Sequence, residues 1–231
     1  TLQGNHTRRP DLVLYANGIA IGVIELKNSR VSIGEGIRQN ISNQQKQFNE
    51  WFYSTVQFLF AGSDSEGLRY GTVGAPEKFY LNWKEDPADN TGYKLDKYLR
   101  KMCDRERFLE LIHDFVLFED GAKKVPRVHQ YFGVKAAQQH VEDHQSGIVW
   151  HTQGSGKSVA MIFFAQRVLR KVPGNWTFVI VTDRDELDGQ IYKTFAATGA
   201  VTEAQAQATS GANLKQLLTE DRSEEHTSEL Q

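Results

Sequence analysis

Cysteine is almost missing from this chain: Cys103 is the only one among 231 residues. That excludes an intrachain disulfide and a cysteine-built zinc site, and it fits a reducing compartment. No apolar run approaches the roughly 20 residues that a membrane span needs, and no secretory leader is visible. Excess charge of one sign is missing too. Lys and Arg total 27 against 29 Asp and Glu, a net charge of -2. Bulk charge therefore advertises no nucleic-acid partner, although it says little about a local basic groove. An initiating methionine is also absent. The chain opens at Thr1 and enters strand-like sequence within ten residues. Its last stretch, Arg222-Ser-Glu-Glu-His-Thr-Ser-Glu-Leu-Gln231, reads as a translated sequencing adapter and is set aside. Those residues carry one Arg and three Glu, so 1–221 is formally neutral. An internal piece of a longer protein is expected. What is present is ordinary for a globular protein: 39% apolar and 24% charged residues, in a length that allows one large or two small domains.

The most informative stretch is Trp150-His151-Thr152-Gln153-Gly154-Ser155-Gly156-Lys157-Ser158. It follows the apolar run Ile148-Val149-Trp150 and opens another from Val159 to Leu169. Strand, glycine-rich turn and helix form the context of a phosphate-binding loop. Gly154 and Gly156 let backbone N–H groups point inward at phosphate oxygens, and the positive end of the following helix adds attraction. Lys157 would reach the outer phosphates, and Ser158 would hold Mg²⁺ through its hydroxyl. Gln153, Gly154, Ser155, Gly156, Lys157 and Ser158 are thus the candidate ATP-binding residues. The strict pattern has Gly where this chain has His151, so a glycine-rich turn ending in Lys-Ser is the alternative. A second buried strand is predicted at Trp176–Thr182, making a βαβ unit from Ile148. Asp183-Arg184-Asp185-Glu186-Leu187-Asp188-Gly189-Gln190 then opens a helix with acids in its first turn.

Near the start, Pro10-Asp11-Leu12-Val13-Leu14-Tyr15 reads as a strand, Asn17-Gly18 as a hairpin turn and Ile19 to Lys27 as the return strand. Glu25 and Lys27, two apart, share a face. A two-residue turn would pair Asp11 with Ile24, on the wrong face. A three-residue loop over Asn17 to Ile19, or an equivalent bulge, would pair it with Glu25. Two converging carboxylates can hold Mg²⁺, and a lysine beside them can stabilise developing negative charge or orient water. Pro-Asp followed by Glu-x-Lys resembles the active-site motif of the PD-(D/E)xK nucleases. Solvated hairpin charges are the alternative, against which stands the apolar run around Glu25.

Ile37 to Phe52 has helical apolar spacing, with Gln39, Asn40, Asn43, Gln44 and Gln47 on other faces. These amides would either lie on a plain surface helix or sit beside the carboxylate site, touching DNA or the lysine. Thr55–Gly62 reads as a buried strand, Leu68–Val73 as a weaker one, and Pro76–Trp83 closes the region with core aromatics. Lys84 to Tyr93 reads as a loop, and Leu95 to Phe118 as a helix broken by 118–126. His140 and His144 are four apart but have no third ligand at useful spacing, so surface histidines are expected. Arg127-x-x-Gln130 precedes the phosphate loop by about twenty residues. By similarity to superfamily 2 helicases, Gln130 would read the adenine edge with Arg127 in support.

The order of these motifs carries more than any one of them. Pro-Asp, Glu-Leu-Lys, Arg-x-x-Gln, Trp150–Ser158 and Val181–Gln190 together closely resemble the restriction (R) subunit of Type I restriction endonucleases, across roughly residues 8 to 221. The resemblance implies an α/β chain in which a PD-(D/E)xK nuclease mixed sheet precedes part of a RecA-like parallel-sheet helicase lobe. The implied divisions are a nuclease domain at 1–83, a linker and helix at 84–125, a partial ATP-binding lobe at 126–221 and the adapter at 222–231. It implies ATP and Mg²⁺ as cofactors, double-stranded DNA as substrate, and methylation (M) and specificity (S) subunits as partners in a bacterial or archaeal cytoplasm. Asp11, Glu25, Lys27 and Gln39 would be catalytic, with Asp11 and Glu25 holding the nuclease Mg²⁺ and Ser158 that of ATP. Thr182, Arg184 and Gln190 would touch the DNA backbone. Many members carry Gln-x-x-x-Tyr after the lysine; here the match is Gln39-x-x-x-Asn43. A water-activating acidic motif and a second motor lobe are expected outside this chain, which would then not translocate DNA alone. A helicase–nuclease of another defence or repair system, and a nucleotide-binding scaffold with an inactive nuclease site, remain alternatives.

Overall fold

The structure is a computed structural model that describes residues 2, 6–86, 88, 91–183, 185–198 and 207–219. It divides into two compact units, Thr1–Gly133 and Val134–Gln231.

The first unit is built on a mixed five-stranded sheet. Strands β1 (Leu12–Ala16), β2 (Ile19–Lys27), β3 (Phe58–Ser63), β4 (Gly67–Gly71) and β5 (Leu81–Asn82) lie side by side in that order. Only β2 and β3 run parallel; the other neighbours are antiparallel. The parallel step needs a crossover, and α1 (Ile33–Asn43) with the short α2 (Glu50–Tyr53) supplies it. The expected helix over 37–52 is therefore two. Residues 44–49 turn instead, and the side chain of Gln44 is spent accepting from the Gly74 N–H at 2.8 Å.

Every residue of β3 is buried, because both faces of the sheet are covered. Leu59 and Ala61 pack with Ile33, Ile37 and Tyr53 on the α1 side. Phe58 and Phe60 point the other way and meet Phe108, with ring centroids 5.4 and 6.0 Å apart. Phe108 belongs to α4 (Arg105–Asp114), which follows α3 (Lys94–Met102). Gly62 makes that second layer possible: a Cβ there would lie 2.5 Å from Leu95 Cδ1.

The stretch 84–125, expected as linker and helix, falls within the first unit and lends its core Tyr98, Met102, Phe108, Leu111, Phe115 and Leu117. Its single expected helix is split at Asp104, whose carboxylate caps α4 by accepting from Arg107 N at 3.2 Å. The break after it is a hairpin, β6 (Leu117–Glu119) and β7 (Ala122–Lys124). Its turn is Asp120-Gly121, with φ of 49° and 76°. Lys123 anchors the hairpin on the sheet side by donating to Val56 O at 3.1 Å.

Helix α5 (Val128–Glu142) begins in the first unit and continues into the second, which also holds α6 (Lys157–Lys171), α7 (Asp185–Ala197) and α8 (Gly211–Thr219). Ala160, Ile162, Phe163, Val168, Ile191 and Phe195 are its buried apolar residues from α6 and α7. The strands expected at 148–150 and 176–182 are not formed: both stretches run as irregular chain. A strand exists by laddering with a neighbour, and among the described residues of this unit none ladders with either. Ile148, Trp150 and Val181 consequently stay 91%, 87% and 86% exposed. Among the described residues, no helix is long and apolar enough to cross a membrane.

Candidate functional site

The Asp11 and Glu25 carboxyls come together through a detail of the hairpin. Asn17 and Gly18 take φ of 48° and 83°, the pair of left-handed residues that makes a two-residue turn, so Ala16 faces Ile19. Left uncorrected, that register would send Asp11 and Glu25 to opposite faces. The pairing shifts, however, between Leu14 and Tyr15: Tyr15 faces Ala20 whereas Leu14 faces Gly22, leaving Ile21 as the extra residue. The bulged carbonyl is not lost, since Ile21 O accepts from Gln57 N at 2.9 Å on the other side of β2. Beyond the bulge Leu12 faces Ile24, and one step further Asp11 comes opposite Glu25. Of the two expected arrangements, a three-residue loop or an equivalent bulge, the second is formed, as a tight turn plus a bulge.

Asp11 lies just before β1, exposed, and its Oδ2 accepts from Leu26 N at 2.7 Å. Its carboxyl lies against that of Glu25, within hydrogen-bonding reach. Glu25 is fully buried. Burial, followed by the Asp11 charge, pushes its pKa from 4.5 up to about 7, against the opposing pull of Lys27. Among the described residues nothing donates to Glu25 Oε2, whereas Oε1 accepts from Asn43 Nδ2 at 3.2 Å. Lys27, half-buried on the same face, donates to Gln39 Oε1 at 2.5 Å. Asn43 and Gln39 both come from α1, which sits close to β2 because residue 36 is glycine. A Cβ there would be 3.2 Å from Ala61 Cβ and 3.5 Å from Lys27 Cγ.

A buried carboxylate oxygen with no donor, beside a second carboxylate, suits a hard divalent cation of the Mg²⁺ kind. Asp11 and Glu25 are the residues that would hold it. Among the described residues, no cluster of three or more acids, histidines or cysteines exists. His140 and His144 do not share a helix face: His144 lies beyond the end of α5 at φ 54°, and His140 Nδ1 meets Ser146 O at 3.2 Å.

In the second unit the glycine-rich stretch forms a turn at the start of α6. Gly154 and Gly156 take φ of 73° and 82°, a region that side-chain-bearing residues enter at a cost. Gly156 caps the helix without a side chain, so the first-turn N–H groups of Lys157 and Ser158 keep their donor capacity. Lys157 Nζ donates to Thr152 O at 3.1 Å and His151 O at 3.3 Å. Its ammonium therefore lies across the turn. Ser155 is buried, Ser158 half-buried and Gln153 exposed. A helix N-terminus with a lysine at its mouth can bind an anion.

Gln130, expected to read the adenine edge, lies at the start of α5. It is buried, and its Oε1 accepts from Arg127 N at 2.8 Å, closing the start of α5 as a capping residue. It sits in the first unit, as does the exposed Arg127. Thr182 is half-buried in irregular chain. Arg184 and the side chain of Gln190 lie outside the described residues. Tyr53, buried in the core beside α1, has no sequence signal of its own. Within Trp51-Phe52-Tyr53 it looks like core packing, and no local pattern marks it.

A carboxylate pair and lysine on a mixed sheet, followed by a glycine-rich loop opening a helix, define a two-part α/β protein. Residues 1–79 match the family described as Type I restriction enzyme R protein N terminus, and residues 129–230 that described as SWI2/SNF2 ATPase. The chain belongs to the family of Type I restriction enzyme R proteins. It is 30% identical to the Type I restriction enzyme HindI endonuclease subunit of Haemophilus influenzae, over 93% of this chain and 22% of that protein. It is 29% identical to the putative type I restriction enzyme MjaIXP endonuclease subunit of Methanocaldococcus jannaschii, over 91% and 23%. For the Type I restriction enzyme SauCOLORF180P endonuclease subunit of Staphylococcus aureus the figures are 25%, 87% and 22%. The chain spans about a fifth of the length of these relatives.

Proposed function

We propose that this chain carries the DNA-cleaving site and the nucleotide loop of a Type I restriction-modification enzyme. In that enzyme ATP-driven movement on double-stranded DNA is coupled to Mg²⁺-dependent cleavage, in assembly with methylation and specificity subunits. The first unit is then a PD-(D/E)xK nuclease domain, and the second carries part of a RecA-like lobe. The observation that carries the reading is the Asp11–Glu25 carboxyl contact with Lys27 on the same face, held by Gln39.

In this reading Asp11 and Glu25 hold Mg²⁺, which when bound polarises the phosphodiester and acidifies water. Leu26 N fixes Asp11 from below, so the carboxylate is oriented before substrate arrives. Lys27, kept in place by an amide with no charge of its own, sets a positive charge where the phosphate turns more negative. Burial of Glu25 keeps water off one side of the pair. The loop Gln153–Ser158 binds the phosphates of ATP, with Lys157 exchanging the carbonyls of His151 and Thr152 for phosphate oxygens. Ser158 would hold the nucleotide's Mg²⁺. Asp11→Ala, Glu25→Ala and Lys27→Ala, each built into the complete R protein assembled with its partners, test the proposal. Plasmid cleavage is expected to disappear while ATP turnover persists; unchanged cleavage would refute it.

A further inference from the structure

Three residues before Asp11, Arg8 is held at both ends. Its backbone ladders with Leu2: Arg8 N donates to Leu2 O at 3.1 Å, and Arg8 O accepts from Leu2 N at 2.7 Å. Its guanidinium lies over the Phe48 ring, 3.8 Å from the centroid. The face of an aromatic ring attracts a cation, and a guanidinium, weakly hydrated, gives up little water to reach it. Among the described residues Arg8 forms no ion pair, and its Nε is buried with no hydrogen-bond partner. A buried N–H without an acceptor is costly.

Both anchors bring that charge to the carboxylate pair. Along the chain, three residues reach at most roughly 10 Å, so Arg8 stays close to Asp11. Across the fold, Phe48 precedes Asn49, whose N–H donates to Asn43 O at 3.3 Å, and Asn43 in turn donates to Glu25 Oε1 at 3.2 Å. The charge is felt there: burial and then Asp11 raise the Glu25 pKa, and Arg8, after Lys27, opposes them. Neither acid takes the guanidinium, and Asp11 gives its Oδ2 to Leu26 N instead. What fits is an anion arriving from outside, with oxygens that meet a fork of N–H groups. We propose that Arg8 is a DNA-backbone contact of the cleavage site: it grips a phosphate next to the one on the cation, and Phe48 holds the guanidinium in place. In the sequence nothing separates Arg8 from Arg9; the stacking on Phe48, forty residues on, does. The inference rests on the nuclease reading above and adds to it a residue that positions the strand to be cut.

Plasmid cleavage by the complete R protein assembled with its partners, measured over a series of NaCl concentrations beside ATP turnover and melting temperature, tests this. Arg8→Met removes the charge yet still covers the Phe48 ring. It is expected to slow cleavage by about tenfold, the size of one lost charge-assisted hydrogen bond, with ATP turnover as in the parent. Its cleavage should also fall less steeply with salt, the slope of log rate on log salt being shallower by about 0.9, the value of one phosphate contact. Arg8→Lys should keep the parent's slope but recover only part of the rate, because an ammonium lacks the fork. Parent-like cleavage in Arg8→Met would overturn the contact. Slower cleavage with the parent's salt slope would overturn it too, leaving Arg8 a packing role alone. Should Arg8→Met fail to assemble, Arg8→Gln, equally uncharged, decides by the same readings. Asp11→Ala separates the two levels of the argument. If it cleaves like the parent, the nuclease reading fails and the Arg8 contact with it. If it abolishes cleavage while Arg8→Met matches the parent in rate and slope, only the contact fails.

Discussion

Lys27 donates its ammonium to the Gln39 side chain at 2.5 Å, tying the end of β2 to the middle of α1. The bond joins the strand that carries Glu25 and Lys27 to the helix whose amide orients the ammonium. Because the amide is uncharged, it aims the lysine without cancelling it. Gln39→Ala should therefore lower DNA cleavage by about tenfold at unchanged Mg²⁺ dependence, whereas Lys27→Ala should lower it by about a hundredfold or more. Cleavage rates of the assembled enzyme across a Mg²⁺ series check both. Equal losses in the two variants would mean that Gln39 does more than aim.

Glu25 predicts how stability responds to pH. Its folded pKa, about 7, is above the ordinary 4.5. Between those values the folded chain keeps a proton that the unfolded chain has released, so stability falls as pH rises through that window. Below it the contribution is fully present; above it the penalty is constant. Glu25→Gln removes the dependence. The variant should melt higher than the parent near pH 8 and match it near pH 4. Mg²⁺ should raise the parent's melting temperature at about pH 8 and leave that of Glu25→Gln unmoved. Thermal melts with and without the cation measure all of this.

The loop before α6 predicts a separation of strain from chemistry. Gly154, at φ 73°, has nothing within 4 Å of where a Cβ would be. Gly154→Ala should thus cost about 1–2 kcal/mol in backbone strain with no clash. Lys157→Ala should leave stability near that of the parent while abolishing binding of an ATP analogue. Fluorescence titration with a labelled nucleotide, beside denaturant unfolding, distinguishes them.

Gln130 closes the start of α5, so its loss carries a cost in stability. Gln130→Ala strands the Arg127 N–H and should destabilise the first unit by about 1–2 kcal/mol. Urea unfolding gives the value.

What the sequence made legible was local. Asn17-Gly18 announces a hairpin, the spacing of Glu25 and Lys27 announces their common face, and the apolar run within Thr55–Gly62 announces a buried strand. What it hid depends on contacts between distant residues. The bulge at Ile21 is stabilised by Gln57, thirty-six residues on, and nothing beside Ile21 signals it. Asp104 divides α3 from α4 with a side chain that helical periodicity alone does not weigh. The apolar runs at 148–150 and 176–182 have strand-like composition, but composition makes a strand only where a neighbour supplies a ladder. For Asn43 the sequence leaves two places open, a plain surface helix or the side of the carboxylate site. The approach of α1 to β2 over Gly36 puts the Asn43 amide on Glu25.

The proposed cleavage chemistry depends most on Asp11 and Glu25 forming one cation site beside Lys27. Iron-directed backbone cutting reads this directly: Fe²⁺ replaces Mg²⁺ on the 231-residue chain, and ascorbate with peroxide generates radicals at the metal. The account predicts breaks confined to the neighbourhoods of residues 11 and 25–27, suppressed by excess Mg²⁺ and absent from Asp11→Ala. Breaks elsewhere in the chain, or a pattern that Asp11→Ala leaves unchanged, would contradict it.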